Sequence, residues 1–295
     1  VTKLRETKTD RAFNIFNIVF LAIVALLVIY PLVFVLSASL SNPQYVLSGE
    51  LWLWPKEFTL DAYEKVFKNE DIINGFVNTL KYTVFGTILN VIMTILAAYP
   101  LSRRDLKGRG FIMAFIVFTM FFSGGLIPTY LLIRDLGMLN TFWVMVIPNA
   151  VAVWNIIIMR TFFQSIPHEL EESAMIDGAG NFKILWSIVL PLSFPVIAVM
   201  VLFYSVGHWN SYFQALIYLQ DQDKFPLQLI LRQILIQGQT DDMIKATSES
   251  FLAQQLSVEG LKYAVLIVAN LPMLMLYPFL QRYFVKGVMI GSLKG

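Results

Sequence analysis

The sequence predicts an all-α integral membrane protein with six transmembrane helices. Hydrophobic residues make up 57% of the 295 positions and charged residues only 14%, against about 25% charged in an ordinary soluble domain. Mean hydropathy is +0.66. Stretches without Asp, Glu, Lys or Arg run over 12–49, 82–102, 111–133, 136–159, 184–220 and 263–281. Each reaches or approaches the roughly 20 apolar residues that a helix needs to cross the hydrocarbon core. Such runs do not fit the short alternating segments of a β-barrel, whereas a helix satisfies its own backbone in lipid. The composition excludes a disordered chain, a collagen-like chain and a disulfide mini-protein, and it argues against a soluble enzyme. With 22 Lys+Arg against 20 Asp+Glu, nothing suggests a nucleic-acid partner. There is no cysteine, hence no disulfide, thiolate metal site or thiol nucleophile. His168 and His208 stand too far apart in sequence to suggest a metal site.

The first expected span, 13–40, follows a basic flank (Lys3, Arg5, Lys8, Arg11). Its apolar run exceeds a signal-peptide core and no small-x-small cleavage site closes it at the usual distance, so it is read as retained. The second, 76–101, ends at a turn carrying Arg103, Arg104, Lys107 and Arg109. The third, 110–133, contains Ser123-Gly124-Gly125 and Pro128; the fourth, 140–163, contains Pro148, Asn149 and Asn155. The fifth, 183–219, holds Pro191, Pro195 and the cluster Gly207-His208-Trp209-Asn210-Ser211-Tyr212-Phe213, and the sixth, 260–284, holds Asn270, Pro272 and Pro278. Prolines here are expected to kink helices, with neighbours taking up the freed carbonyls. The basic N-terminal tail, the 102–110 turn and the C-terminal end place both termini in the cytoplasm. The acidic 160–182 loop is cytoplasmic by counting spans. The longer 41–73 and 220–259 loops then lie outside, the latter with short helices expected. The chain divides into 1–75 (tail, first span and outer loop), 76–284 (five spans) and 285–295 (cytoplasmic tail).

No Asp, Glu, Lys or Arg falls well inside a span. That weighs against a proton-coupled transporter or a voltage sensor, which keep their coupling charges there; a Na⁺ site of carbonyls and hydroxyls stays open. It also weighs against an intramembrane hydrolase. No G-x-x-x-x-G-K-[ST] phosphate loop occurs, so energy for uphill transport comes from a partner. The asparagines in spans either hydrogen-bond a neighbouring helix, worth about 0.6 kcal/mol on average, or line a water-filled route. Trp209 and Tyr212 suit an interfacial belt as well as a pore.

The most informative stretch is 164–191. Pro167 stands where a helix start tolerates it. Glu169, Glu171 and Glu172 occupy the first turn, where the helix dipole favours negative charge. Leu170 and Ala174 share a face, and Gly178 is suited to end the helix in a left-handed conformation. A short surface helix over 167–177 is predicted. An ordinary interfacial connector has the same features.

Here the sequence resembles a known family. Glu172-Ser173-Ala174, Gly178, Ile188 and Leu190-Pro191 follow the E-A-A-x3-G-x9-I-x-L-P signature of ABC importer permeases, with Ser173 for the first Ala as the single departure. Asp177-Gly178-Ala179 matches the common D-G-A core. The likeness extends over the whole chain and is greatest to the MalG-type permeases for carbohydrates. The tail Lys286–Gly295 is similar to the G-x-x-x-G-x-x-K-G ending of that group. The run from Trp209 to Phe213, with Pro226-Leu227-Gln228 and Leu231-Arg232, resembles the branch for complex oligosaccharides such as aldouronates and alginate-type sugars.

The resemblance implies a type I ABC importer permease fold with a cytoplasmic coupling helix between spans four and five, in a prokaryotic cell (inner) membrane. It implies a second permease subunit, two ATPase subunits that hold the ATP and Mg, and an extracytoplasmic solute-binding protein. It implies no cofactor and no catalytic site on this chain itself. Glu171, Glu172, Ser173, Ala174, Asp177, Gly178, Ala179, Leu190 and Pro191 are the implied ATPase-coupling residues, with Glu172 in a charge-assisted contact and the 287–295 tail reaching the ATPase pair. In maltose-type systems the substrate contacts belong mainly to the other permease. Tyr204, Trp209, Asn210 and Asn270 have the chemistry for a sugar route. Competing readings are an importer permease for a non-sugar solute and a standalone channel or secondary transporter.

Overall fold

The computed structural model describes residues 8–244, 256, 258–275 and 278. In chain order its helices are α1 (Lys8–Ser39), α2 (Pro43–Leu47), α3 (Asp61–Lys68), α4 (Glu70–Ser102), α5 (Arg109–Phe121), α6 (Leu126–Asp135), α7 (Trp143–Val146) and α8 (Val153–Phe163). There follow α9 (His168–Ile176), α10 (Asn181–Ile184), α11 (Leu190–Leu192), α12 (Phe194–Trp209), α13 (Phe213–Tyr218), α14 (Leu227–Ile244) and α15 (Val258–Met275). Among the described residues β-structure is limited to one antiparallel bridge, Ser41 to Phe58. The chain forms two compact units, 1–69 with 231–270, and 70–230 with 271–295.

In the first unit, the most apolar stretch of α1 has no buried residue. Burial begins at its last turn, at Ser37, Ala38 and Ser39, where the following loop folds back. Ser41 Oγ donates to the Ser37 carbonyl at 2.6 Å and accepts from the Lys56 amide at 3.1 Å. Asn42 caps α2 by accepting from the Gln44 amide at 3.1 Å. Phe34 meets Tyr263 of α15 edge-on at 6.0 Å.

The second unit is built along α4, which packs on α12 and α8. Most of the buried residues of α4 are small or polar, among them Gly75, Thr79, Gly86, Asn90, Thr94 and Ala98, with Ile72, Tyr82, Val91, Tyr99 and Leu101 between them. Leu80, Val84, Phe85, Ile88, Ile92 and Leu96 point outward. Lipid tails are as apolar as leucine, so hiding leucine gains little there; close van der Waals approach and interhelical hydrogen bonds hold membrane helices together. Gly86 shows the approach directly, since a Cβ on it would fall inside van der Waals contact of the His208 ring. Gly75 lets Leu227 of α14 come so near that a Cβ would lie 3.2 Å from its backbone nitrogen. Tyr99, Leu101, Met159, Phe163, Ile184, Val189 and Met200 pack around one end of α4. Tyr82, Ile133, Val144, Met145, Tyr218 and Leu229 pack around the other.

Three of the six expected spans are not continuous helices. The third breaks between α5 and α6, which meet at 109°. Gly125 sits at the break with φ 84° and ψ 179°, a conformation essentially reserved for glycine. The fourth is interrupted over 147–152, where Pro148 has no N–H to continue α7. The fifth bends by 81° at Ser193. Pro195 cannot donate to the Pro191 carbonyl, and its ring crowds that group. Just before, Leu185–Val189 winds as a π-helix. Among the described residues α1, α4 and α15 are long and apolar enough to cross a membrane alone, and the two bent pairs bring the number to as many as five. Val153–Phe163 is a shorter apolar helix. Much of the expected sixth span beyond Met275, and the whole of 285–295, lie outside the described residues.

The 220–259 segment is more than a loop with short helices, because the 18 residues of α14 occupy much of it. Its start is strapped to the turn at Asn140, which adopts φ 56°. Asn140 Oδ1 accepts from the Gln220 and Asp221 amides at 3.1 Å, and its Nδ2 donates to Asp221 Oδ2 at 2.7 Å. Hydrogen bonds from Lys224 and Asn140 hold the Asp221 carboxyl below the usual carboxylate range.

Replacement of Gly86 by Ala forces the His208 ring off its seat and is expected to destabilise the protein by about 1–3 kcal/mol, as overpacking does. Thermal unfolding in detergent against the parent chain measures this; an unchanged midpoint would mean that α4 and α12 are not in close contact.

Candidate functional site

Two places in the second unit combine polar chemistry with a defined shape. The first is a cavity of about 400 Å³ between α4, the interrupted 147–152 stretch, α8 and α12. Its wall is polar without being charged: Asn90, Asn149, Asn155, Tyr204, His208, Ser211 and Gln214, with Phe203, Gly207, Val151 and Ala152 between them.

The interruption at 147–152 frees backbone groups, and side chains of α4 and α12 take them up. Asn90 Nδ2 donates to the Asn149 carbonyl. The Ala152 amide donates to Tyr204 Oη at 3.3 Å, and that hydroxyl pairs with Thr94 Oγ1 at 2.7 Å. His208 Nε2 pairs with Asn90 Oδ1 at 2.7 Å, so Asn90 is held from two sides and its orientation is set. Ser211 Oγ is buried without a hydrogen-bond partner among the described residues. Such a set presents donors and acceptors to a hydroxyl-rich solute, with an aromatic side chain alongside.

The four residues that sequence chemistry marks for a solute route separate here. Tyr204 lines the cavity and braces its wall. Trp209 is fully buried, edge-on to Phe76 at 5.8 Å. It borders a second, apolar cavity of about 430 Å³ with Thr83, Thr87 and Pro272. Full burial also removes the interfacial-belt reading of Trp209. Asn210 ends α12 with its amide on the Val206 carbonyl at 2.9 Å. Asn270 belongs to the other unit and donates to the Leu266 carbonyl at 2.8 Å. Asn90, Asn149, Asn155 and His208 stand out in the sequence as polar residues in spans, but their meeting in one cavity depends on contacts up to 118 positions apart.

The second place is the signature segment. α9 runs from His168 to Ile176 after Pro167, one residue inside each end of the expected 167–177. It closes on Gly178 at φ 77°. The Gly178 amide donates to the Met175 carbonyl at 3.0 Å and the Ala179 amide to the Ala174 carbonyl at 2.9 Å, the paired bonds of a Schellman cap. Ala174, Ala179 and Leu190 pack against the core. Ser173 Oγ bonds the Leu170 carbonyl at 3.1 Å. Glu172, Asp177 and Pro191 are exposed. Glu171 is buried, 7% exposed, and accepts from Arg103 Nη1 at 2.6 Å. Arg103 also grips Asp105 through Nε at 3.1 Å and Nη2 at 3.3 Å. That hydrogen bond is the main reason the Asp105 carboxyl lies below the usual range and the Arg103 guanidinium above its own. The last carbonyls of α4 are capped by cations: Arg160 Nε bonds Leu101 at 2.8 Å, and Arg109 Nη1 bonds the Arg103 carbonyl just beyond at 3.1 Å. In the sequence Arg103 counts only toward membrane orientation; nothing local marks a partner 68 positions away.

Residues 84–290 match the family described as the binding-protein-dependent transport system inner membrane component. The chain belongs to that family. This permease is 41% identical over 292 residues to Protein LplC of Bacillus subtilis, covering 99% of this chain and 98% of that one. It is 43% identical over 288 residues to the polygalacturonan/rhamnogalacturonan transport system permease protein YtcP of the same organism, covering 97% and 99%. Its backbone superposes on a chain of a bacterial ABC transporter involved in the import of the acidic polysaccharide alginate, with a TM-score of 0.87 at 34% identity, covering 96% of this permease and 100% of that chain.

Tyr204→Phe removes the acceptor of the Ala152 amide and the partner of Thr94. A buried donor left unpaired costs about 1–3 kcal/mol. Faster hydrogen exchange at Ala152 together with a lowered unfolding midpoint is the expected result, whereas unchanged exchange would remove Tyr204 from the bracing role.

Proposed function

We propose that this permease is one of two membrane subunits of an ATP-driven, binding-protein-dependent importer of sugars or oligosaccharides. The observation that carries the reading is the uncharged cavity of amides, hydroxyls and an aromatic wall, in a chain whose match to a permease named for polygalacturonan and rhamnogalacturonan covers 97% of its length. Other relatives are named for melibiose, raffinose and stachyose and for arabinooligosaccharides. The chain crosses a prokaryotic inner membrane six times, the broken helices counting as spans, with both termini in the cytoplasm. Residues 76–284 form the transport core, 1–75 the first span with its outer loop, and 285–295 a cytoplasmic tail.

In this reading α9 is the coupling helix. Its Schellman cap and core-packed alanines make it stiff, while Glu172 and Asp177 stay exposed for an ATPase subunit. The two ATPase subunits hold ATP and Mg. When they close, α9 moves with the one it docks on, and the membrane helices pass from inward-facing to outward-facing. An extracytoplasmic binding protein then delivers the sugar. A likeness at 17% identity and TM-score 0.59, which speaks to fold alone, is to a bacterial alginate ABC transporter in complex with alginate pentasaccharide-bound periplasmic protein. Asn155, Ser211 and Gln214 offer hydroxyl-binding groups beside Phe203 and Tyr204. Helix interruptions that face a cavity are a recurrent way of building a transport site.

The test is ATP hydrolysis by the complete complex in lipid, with and without sugar-loaded binding protein. Loaded binding protein is expected to stimulate the parent complex. Glu172→Lys should abolish the stimulation while the complex still assembles, because the reversed charge meets its docking partner with the wrong sign. Hydrolysis indifferent both to loaded binding protein and to the substitution would overturn the coupling assignment.

A further inference from the structure

The chain itself offers α9 one route for coupling, into the spans that its loop joins. The side-chain contacts run elsewhere. Glu171, on the inward side of α9, is buried and bonded to Arg103 just past the end of α4, and Arg103 is itself nearly buried, with a side chain 11% exposed. A few residues beyond α9, the Asn181 carbonyl accepts from Tyr99 Oη of α4 at 3.3 Å. The same end of α4 is held to α8 by Arg160. An ion pair so little exposed is held much more firmly than a surface pair, because removing one partner strands the other charge away from water. α4 then continues from this clamp without a break to Asn90 at the polar cavity. Thirteen residues at about 1.5 Å each put the two places about 20 Å apart, along one helix that runs on through Pro100.

We infer that Arg103 is a positioning residue for energy coupling: its ion pair with Glu171 fastens the coupling helix to α4, so that movement of α9 reaches the solute cavity through the second span. This rests on the importer reading of α9. It assigns Arg103 a role in the transport cycle that its place in a basic turn does not suggest, and it makes Glu171 a contact within the chain while Glu172 faces the ATPase. α4 is suited to the task because it is one continuous helix of 33 residues, whereas its neighbours α5–α6 and α10–α12 are broken and bent by 109° and 81°.

The test uses the complete complex in lipid and reads loaded-binding-protein stimulation of hydrolysis together with sugar transported per ATP. Arg103→Gln is expected to lower both about tenfold, within the usual range of coupling energies, and Arg103→Gln with Glu171→Gln is expected to cost no more than Arg103→Gln alone. A second variant separates misfolding from uncoupling. The sequence has no cysteine, so Arg103→Cys with Glu171→Cys gives a thiol pair that is unique within this chain, and the single-cysteine variants control for thiols of the other subunits. Bridging it with a short, reducible bis-methanethiosulfonate spacer should restore sugar transported per ATP, and reduction should abolish it again. Full coupling in Arg103→Gln, or bridged thiols that stay uncoupled in an assembled complex, would overturn the role of Arg103 and leave the importer reading standing. A parent complex that loaded binding protein does not stimulate would overturn the importer reading and this inference with it.

Discussion

Backbone groups released inside a membrane must find partners within the protein, since lipid offers none. That constraint organises the second unit. Once Pro148 and its neighbours interrupt the fourth apolar run, an amide and a carbonyl are left over, and Asn90 and Tyr204 supply what the helix no longer does. Thr94 and His208 then orient those two side chains. The cavity follows from the repair, because its wall consists largely of groups that had to be near the interruption in any case. Gly86 belongs to the same arrangement. Without its close approach, the His208 ring would stand too far from α4 to reach Asn90.

Much of the fold is legible in the sequence because the hydrocarbon thickness sets a length that few other constraints imitate. The apolar runs, the short helix before Gly178 and its left-handed end are all readable from local rules of charge, dipole and glycine. The sharp breaks are legible only as prolines and glycines. Whether such residues kink a helix slightly or turn it through 81° or 109° depends on which neighbours accept the freed groups, and those neighbours are distant in sequence. α4 shows a second difficulty. Its buried side carries mostly Gly, Thr, Asn and Ala, with a few large apolar residues, while its outward side carries Leu, Ile, Val and Phe, so hydrophobic periodicity does not mark the core.

The candidate site divides in the same manner. The signature residues are identifiable from spacing because they lie within one short segment. Glu171 and Glu172 are adjacent in that segment and chemically identical, yet one is buried on Arg103 and the other is exposed. Only the placement of α4 separates them. Trp209 and Asn210 likewise follow each other but go to a packed aromatic contact and a helix end, because one residue of helix turns a side chain by about 100°.

The cavity wall contains no Asp, Glu, Lys or Arg. For a neutral sugar passing through it, membrane voltage does no work on the cargo. Each carboxylate on a uronic-acid sugar changes that by about 2.3 kcal/mol per 100 mV for a full crossing. A charge fixed in the wall does not cross the field, so this term is set by the charge that the solute itself carries through. The driving force for acidic and neutral cargo would therefore differ with the electrical state of the cell, even with every contact to the sugar unchanged.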